Sequence, residues 1–231
     1  MTDPNHPASP AKFDAYARSY QELHRRNITA SGEQPEYFAE YKVACLRRLV
    51  GASYGAPVLD YGCGTGALTE KLAGEFEDVS GYDPSGACLE EARKRASAAT
   101  FYAEPGAIPR GRFGLVVLAN VLHHVPPPGR RGLVSLLAAL LEPGAGRLVA
   151  FEHNPYNPLT RRAVATCEFD DDAILLGPIE LTRLLSSAGL IQVRRRFIVF
   201  FPRALAALRG LEPHLGWLPA GAQVMAVGRA R

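Results

Sequence analysis

The residues best suited to chemistry in this chain of 231 residues gather around one glycine-rich stretch. Asp60 is followed by Gly62, Gly64 and Gly66 at alternate positions, and Asp83 stands 21 residues beyond Gly62. Glycines so spaced let the backbone turn sharply and let a ligand approach with no Cβ in the way. A helix starting after them would point free N–H groups at that ligand. A carboxylate at Asp83 can accept hydrogen bonds from both hydroxyls of a ribose. Gly62, Gly64 and Ala67 also satisfy the G-x-G-x-x-G/A pattern of dinucleotide enzymes, so the glycines imply a nucleoside without naming it. Asp60 separates the readings. A strand-end carboxylate repels a pyrophosphate, whereas it attracts a ligand that carries an ammonium and a sulfonium.

Histidines supply the second kind of chemistry. His123 and His124 follow the aliphatic run Leu115–Leu118, and His153 follows a second apolar run. An unperturbed imidazole titrates near neutral pH and can accept a proton there, which makes His124 the first candidate base and His153 the second. The two adjacent rings cannot both point the same way; one packs, and His123 is assigned to the substrate side. Asp170, Asp171 and Asp172 lack correctly separated ligand partners and are read as a helix-capping or solvated run. Cys45, Cys63, Cys88 and Cys167 show no C-x-x-C spacing, so neither a disulfide framework nor a metal site is expected.

These residues need elements to hold them. Val58 and Leu59 form a buried strand ending at Asp60, and a helix runs from the glycine turn to about Phe76. Val79–Tyr82 is a second strand, leading through Asp83 and Pro84 into a helix to about Ala98. Thr100–Ala103 is a third strand with Glu104 at its end. Leu115–Leu118 reads as a central parallel strand buried on both faces, with Asn120 at its carboxyl end, where open α/β sheets bind ligands. Pro126, Pro127 and Pro128 break the chain before a helix over Leu133–Leu141, and Arg147–Phe151 is a fifth strand. The stretch 153–177 is long for a connector and is expected to be a lid or to hold small helices. Its Asn154–Pro158 run is turn chemistry. A helix over Pro178–Ala188, a long strand over Leu190–Phe201, a helical excursion over Arg203–Leu211 and a last strand over Val224–Val227 complete the chain. Ahead of the sheet, Phe13, Tyr16, Ala17, Tyr20 and Leu23 recur at helical spacing, and Pro35 and Gly51 bound a second helix over Pro35–Val50.

Asp60-x-Gly62-x-Gly64-x-Gly66 resembles motif I of the class I S-adenosylmethionine-dependent methyltransferases, and Leu122-His123-His124-Val125 resembles the corresponding segment of many small-molecule members. The resemblance implies an α/β, Rossmann-like fold: a seven-stranded, mostly parallel sheet with an antiparallel last strand, helices on both faces and an N-terminal helical cap. It divides the chain into a disordered tail (1–11), a cap or lid (12–52) and a cofactor-binding domain (53–231) with an insertion at about 153–177. It assigns S-adenosylmethionine to Asp60, Gly62, Gly64, Gly66, Asp83, Pro84 and Asn120, with Tyr20 in the lid. Glu104, four before Ile108-Pro109, takes the adenine amino group. Two departures stand out: Glu104 replaces the commoner Asp, and Gly114 replaces the usual Asp before the fourth strand. The acceptor is expected among Tyr16, His123, Tyr156 and Arg161.

The activity implied is methyl transfer to a small-molecule oxygen, nitrogen or carbon nucleophile. The alternatives are a cofactor-binding protein that does not methylate and an NAD(P)-dependent reductase, for which no Tyr–Lys pair is visible. A net charge of +3 is too mild to argue for nucleic acid or an anionic membrane. No apolar stretch reaches the ~20 residues of a membrane span. The N-terminus has no apolar core, so a cytoplasmic location is expected. Oligomeric state is left open.

Overall fold

Aliphatic runs alternating with helical periods build one sheet between two helical layers. The computed structural model describes residues 13–14, 16–17 and 20–231, without the side chains of 20–22, 30 and 169. The tail expected over 1–11 lies outside the described residues. Helices α1 (Tyr20–Asn27) and α2 (Pro35–Val50) precede the sheet. The bounds of α2 are those set by its sequence: Pro35 fits the first turn because its missing N–H has no partner there, and Gly51, at φ 87, ends it by donating its N–H to Arg47 O. The sheet and its helices follow in order as β1 (Val58–Tyr61), α3 (Ala67–Ala73), β2 (Val79–Tyr82), α4 (Gly86–Arg95), β3 (Thr100–Tyr102), β4 (Leu115–Ala119), α5 (Pro127–Leu140), β5 (Arg147–His153), α6 (Pro158–Ala165), α7 (Pro178–Ser187), β6 (Ile191–Ile198) and β7 (Gln223–Arg229).

The strand order is β3-β2-β1-β4-β5-β7-β6. Neighbours from β3 to β5 pair in parallel, and β7 runs antiparallel to both β5 and β6, as the resemblance implied. The order reverses between β1 and β4, so the loops after these strands diverge and leave a crevice at the carboxyl edge. Alternate strand residues feed the two layers. Leu59, Val116 and Leu118 pack with Leu133, Leu137 and Leu181 of α5 and α7. Val58, Leu115 and Val117 pack with Leu46 of α2 and Leu68 and Leu72 of α3. All four residues from Leu115 to Leu118 are fully buried, worth about 1.5–3 kcal/mol for each side chain.

Several boundaries differ from the sequence reading for identifiable reasons. Helix α5 begins at Pro127, not Leu133, because Pro127 and Pro128 occupy its first turn instead of breaking the chain before it. Helix α3 stops short of Phe76, where the Gly74 N–H closes on Glu70 O. Strand β5 extends through Glu152 and His153, paired with Val224 and Gln223 of β7. Strand β6 is shorter than Leu190–Phe201: its register shifts between Ile191 and Arg194, and Val199 turns the chain out at φ 61. The 153–177 insertion contains α6 and a 3-10 turn over Glu168–Asp170. The departure at Gly114 has a packing cause, since a Cβ there would stand 2.6 Å from Ala56 Cβ.

Candidate functional site

The glycine turn is a loop whose free backbone conformations are all used. Gly62, Gly64 and Gly66 adopt φ of 78, 52 and 79, a region where side chains are strained. A Cβ on Gly62 would lie 2.6 Å from Val121 Cγ2 and one on Gly66 would lie 2.8 Å from Ala92 Cα, whereas one on Gly64 would meet nothing within 4 Å among the described residues. Packing therefore demands the outer two glycines, and the middle one faces open space in which a ligand can approach the backbone.

Two carboxylates hold this turn. Asp83 accepts from Gly64 N at 2.8 Å and from Ser85 N at 2.9 Å, so it ties the middle glycine to the start of α4. Burial pushes its pKa up against those two N–H bonds. Asp60 is 1% exposed and accepts from Thr69 Oγ1 at 2.7 Å. Burial raises its pKa to about 7, with Thr69 and Lys42 opposing and Asp83 reinforcing the shift. A buried carboxylate in that condition gains from a cationic ligand. Lys42 of α2, to which the sequence reading gave no role, is the opposite charge: it is buried, its ammonium lies 6.0 Å from the Phe151 ring centre, and burial lowers its pKa to about 8 against the pull of Asp60 and Glu152.

The other expected cofactor residues surround the same edge. Pro84 sits between Asp83 and the Ser85 cap of α4. Glu104 is exposed at the end of β3, beside the Asp83 end of β2. Asn120 follows β4 at φ 60, donates its N–H to Phe151 O at 2.8 Å, and buries a side-chain Oδ1 that finds no partner among the described residues. Tyr20 opens α1, with its side chain outside the description. The preceding segment reaches the site directly. Asp14 accepts from Ser85 Oγ at 2.5 Å, and the Phe13 ring stands edge-on to His124 with centroids 5.3 Å apart. Tyr16 is half-buried in that segment.

The histidines form a cluster that depends on a residue the sequence left without a role. Glu152, 1% exposed near the end of β5, accepts from Val121 N at 3.1 Å, Leu122 N at 2.7 Å and His123 Nδ1 at 2.7 Å. Burial alone would raise its pKa, but His123 and these bonds hold it below the usual carboxylate range. His123 is 1% exposed. Burial would lower its pKa, yet Glu152 and Asp170 outweigh that and raise it to about 9. His124 Nε2 lies 3.3 Å from Asp170 Oδ1, and its Nδ1 lies 3.4 Å from Asp172 Oδ1. The His153 ring is centred 5.1 Å from His123, and burial first, then the His123 charge, pushes its pKa down to about 3. Of the capping and solvated roles expected for the triple aspartate, Asp170 departs from the solvated one: it is 6% exposed and lies in the 3-10 turn beside both histidines. Among the described residues, a cleft of about 590 Å³ adjoins it, lined by Arg161, Arg162 and Asp171. Arg161 and Tyr156 are exposed on the insertion, and Tyr156 does not enter the histidine cluster.

Comparison with known proteins agrees with this architecture. Residues 58–144 match the family described as a methyltransferase domain. The chain is 32% identical over 149 residues to a ubiquinone biosynthesis O-methyltransferase of Cronobacter sakazakii, covering 58% of this chain and 56% of that protein. The counterpart in Bordetella avium is 34% identical over 107 residues, covering 43% and 44%. The chain thus spans about half the length of the curated relatives it matches. A Thermotoga maritima methyltransferase described as a possible histamine N-methyltransferase superposes with a TM-score of 0.68 at 19% identity, covering 96% of this chain and 99% of that one. A TehB-like methyltransferase of Corynebacterium glutamicum gives 0.61 at 19% identity, covering 96% and 100%. A methyltransferase domain thus matches the stretch from β1 to α5 that holds the glycine turn, and the chain as a whole has the fold of S-adenosylmethionine-dependent methyltransferases.

Proposed function

We propose that this protein transfers a methyl group from S-adenosylmethionine to a small-molecule acceptor at the crevice between β1 and β4. The observation that carries the reading is the pairing of an open glycine turn with the buried Asp60 carboxylate, which disfavours a pyrophosphate and favours a ligand that carries an ammonium and a sulfonium. S-adenosylmethionine, when bound, supplies an electrophilic methyl on a sulfonium. Asp83, already fixed by Gly64 and Ser85, keeps acceptor capacity for ribose hydroxyls. Asp60 and Lys42 offer opposite charges to a zwitterionic amino-acid end, and the unpartnered Asn120 Oδ1 offers a further acceptor. Glu104 is assigned to the adenine amino group.

The protein's main task is alignment of nucleophile and methyl in a site shielded from water. His124 touches the N-terminal segment through Phe13 and the insertion through Asp170 and Asp172, so we place the acceptor's nucleophile there. His123, locked between Glu152 and Asp170, positions that turn, and Tyr16 and Arg161 border the acceptor side. His153 holds a proton too weakly to compete as a base near neutral pH. The curated relatives are named O-methyltransferases, which favours an oxygen nucleophile. No helix among the described residues is long and apolar enough to cross a membrane, and the four cysteines stand as thiols, which fits a reducing, cytoplasmic compartment.

The test is incubation with methyl-labelled S-adenosylmethionine and a fractionated metabolite extract. Label in a small-molecule fraction supports the assignment. Cofactor binding with no transfer to any fraction would make the protein a binding module instead.

A further inference from the structure

The histidine turn and the insertion bring three ligand atoms together in a way that methyl transfer does not require. We propose that His123 Nε2, His124 Nε2 and a carboxylate oxygen of Asp170 form a binding site for a divalent transition-metal ion, with a position left open toward the Asp170 cleft.

The geometry points there in three steps. One potential ligand atom from each of His123, His124 and Asp170 lies within 4.8 Å of those from the other two. Asp170 Oδ1 is 3.5 Å from His123 Nε2 and 3.3 Å from His124 Nε2. Those separations are long for hydrogen bonds, which run at about 2.7–3.2 Å. They do fit the edges of a tetrahedron whose ligands stand about 2.0–2.1 Å from a central ion, since such ligands lie roughly 3.3–3.4 Å apart. His123 is also backed on its other nitrogen, where Nδ1 meets Glu152 Oε2 at 2.7 Å, whereas the Asp172 carboxylate stands farther from His124 Nδ1, at 3.4 Å. A carboxylate behind a ligating histidine fixes the tautomer that presents Nε2 to a metal and raises its basicity. Glu152 is itself immobilised by two backbone N–H groups, so His123 has little freedom to turn.

The donor set of two imidazoles and one carboxylate suits zinc and its first-row neighbours, and it is too poor in oxygen for calcium or magnesium. Asp170 lines the open cleft of about 590 Å³, which gives an ion a path in and an oxygen ligand a place at the remaining position. In such a site His124 acts through the ion as its ligand, and the ion meets the oxygen that arrives there. The site does not depend on methyl transfer, because metal affinity is read without cofactor or acceptor.

The full chain, stripped of metal by a chelator and freed of any tag, is titrated with Zn²⁺ by calorimetry and with Co²⁺ by visible absorption. The expected result is one ion per chain and a Co²⁺ spectrum without thiolate charge transfer. His124→Ala and Asp170→Asn should abolish saturable binding, while Glu152→Gln weakens it about 10–100-fold. Circular dichroism of each variant checks folding, and the wild-type Co²⁺ spectrum decides the ligand chemistry even where a variant fails to fold. No saturable binding, a thiolate spectrum from the buried cysteines, or undiminished affinity in folded His124→Ala would overturn the site and leave an ion-pair network.

Discussion

At the scale of single residues, the cofactor edge is governed by two carboxylates in unlike situations. Asp60 has its folded pKa raised from 3.8 to about 7 by burial. Between about pH 4 and 7 the folded protein therefore keeps a proton that the unfolded chain has released, and the free protein loses stability as pH rises through that window. A ligand that brings an ammonium beside Asp60 reverses the balance by favouring the ionised carboxylate. S-adenosylhomocysteine affinity should accordingly rise by up to about tenfold per pH unit below pH 7 and level off above it. Calorimetry at pH 6 in buffers of different ionisation enthalpy should detect a proton released on binding, and Asp60→Asn should abolish that release. Persistent release in the variant would assign it to another group. Asp83 differs because its N–H bonds are satisfied before any ligand arrives. Asp83→Ala should weaken S-adenosylhomocysteine binding by about 1.5–3 kcal/mol for each charged hydrogen bond lost. Unchanged affinity would remove Asp83 from the ribose site.

At the scale of elements, the segment before α1 bridges parts of the site that no strand connects. Asp14 bonds Ser85 at the start of α4, and Phe13 packs on His124 after β4. These contacts give the lid reading a physical basis, since a closed segment excludes water from the crevice. Deleting residues 1–30 should leave a folded sheet, because among the described residues the two cores of the sheet draw none from that region. Cofactor affinity should fall sharply in the same protein. Normal binding and turnover in the truncated form would reduce the segment to packing. The pairing of β4 with β5 is the second such element, because it sets Glu152 against the Val121–His123 turn.

At the scale of the whole molecule, Glu152 joins the sheet to the insertion through His123 and Asp170. Glu152→Ala would strand two buried N–H groups and leave His123 short of a partner. The expected cost is about 3–5 kcal/mol, as for other buried pairs broken on one side. In a chain of this size each kcal/mol moves the melting temperature by roughly 2–4 °C. Differential scanning calorimetry should therefore show a drop near or beyond 10 °C. A shift of a degree or two would mean that the cluster is held by other contacts.

The amino-acid sequence by itself determined the sheet, because its signals are local. Aliphatic runs such as Leu115–Leu118 have no favourable place but a buried strand, Pro35 and Gly51 fix the ends of α2 through their own backbone chemistry, and the spacing from Gly62 to Asp83 is that of one helix plus one strand of a βαβ unit. The glycine turn was legible for the same reason, since its conformation belongs to the residues that form it. Glu152, Lys42 and Asp170 were not legible. Glu152 is a strand-end acid, Lys42 a lysine on an amphipathic helix and Asp170 one of three aspartates, and each reads locally as a solvated group. Only the tertiary structure decides otherwise, by pairing β4 with β5, laying α2 over Phe151 and folding the 3-10 turn beneath the histidines. Burial and charge partners are properties of neighbours distant in the chain, and no local pattern encodes them.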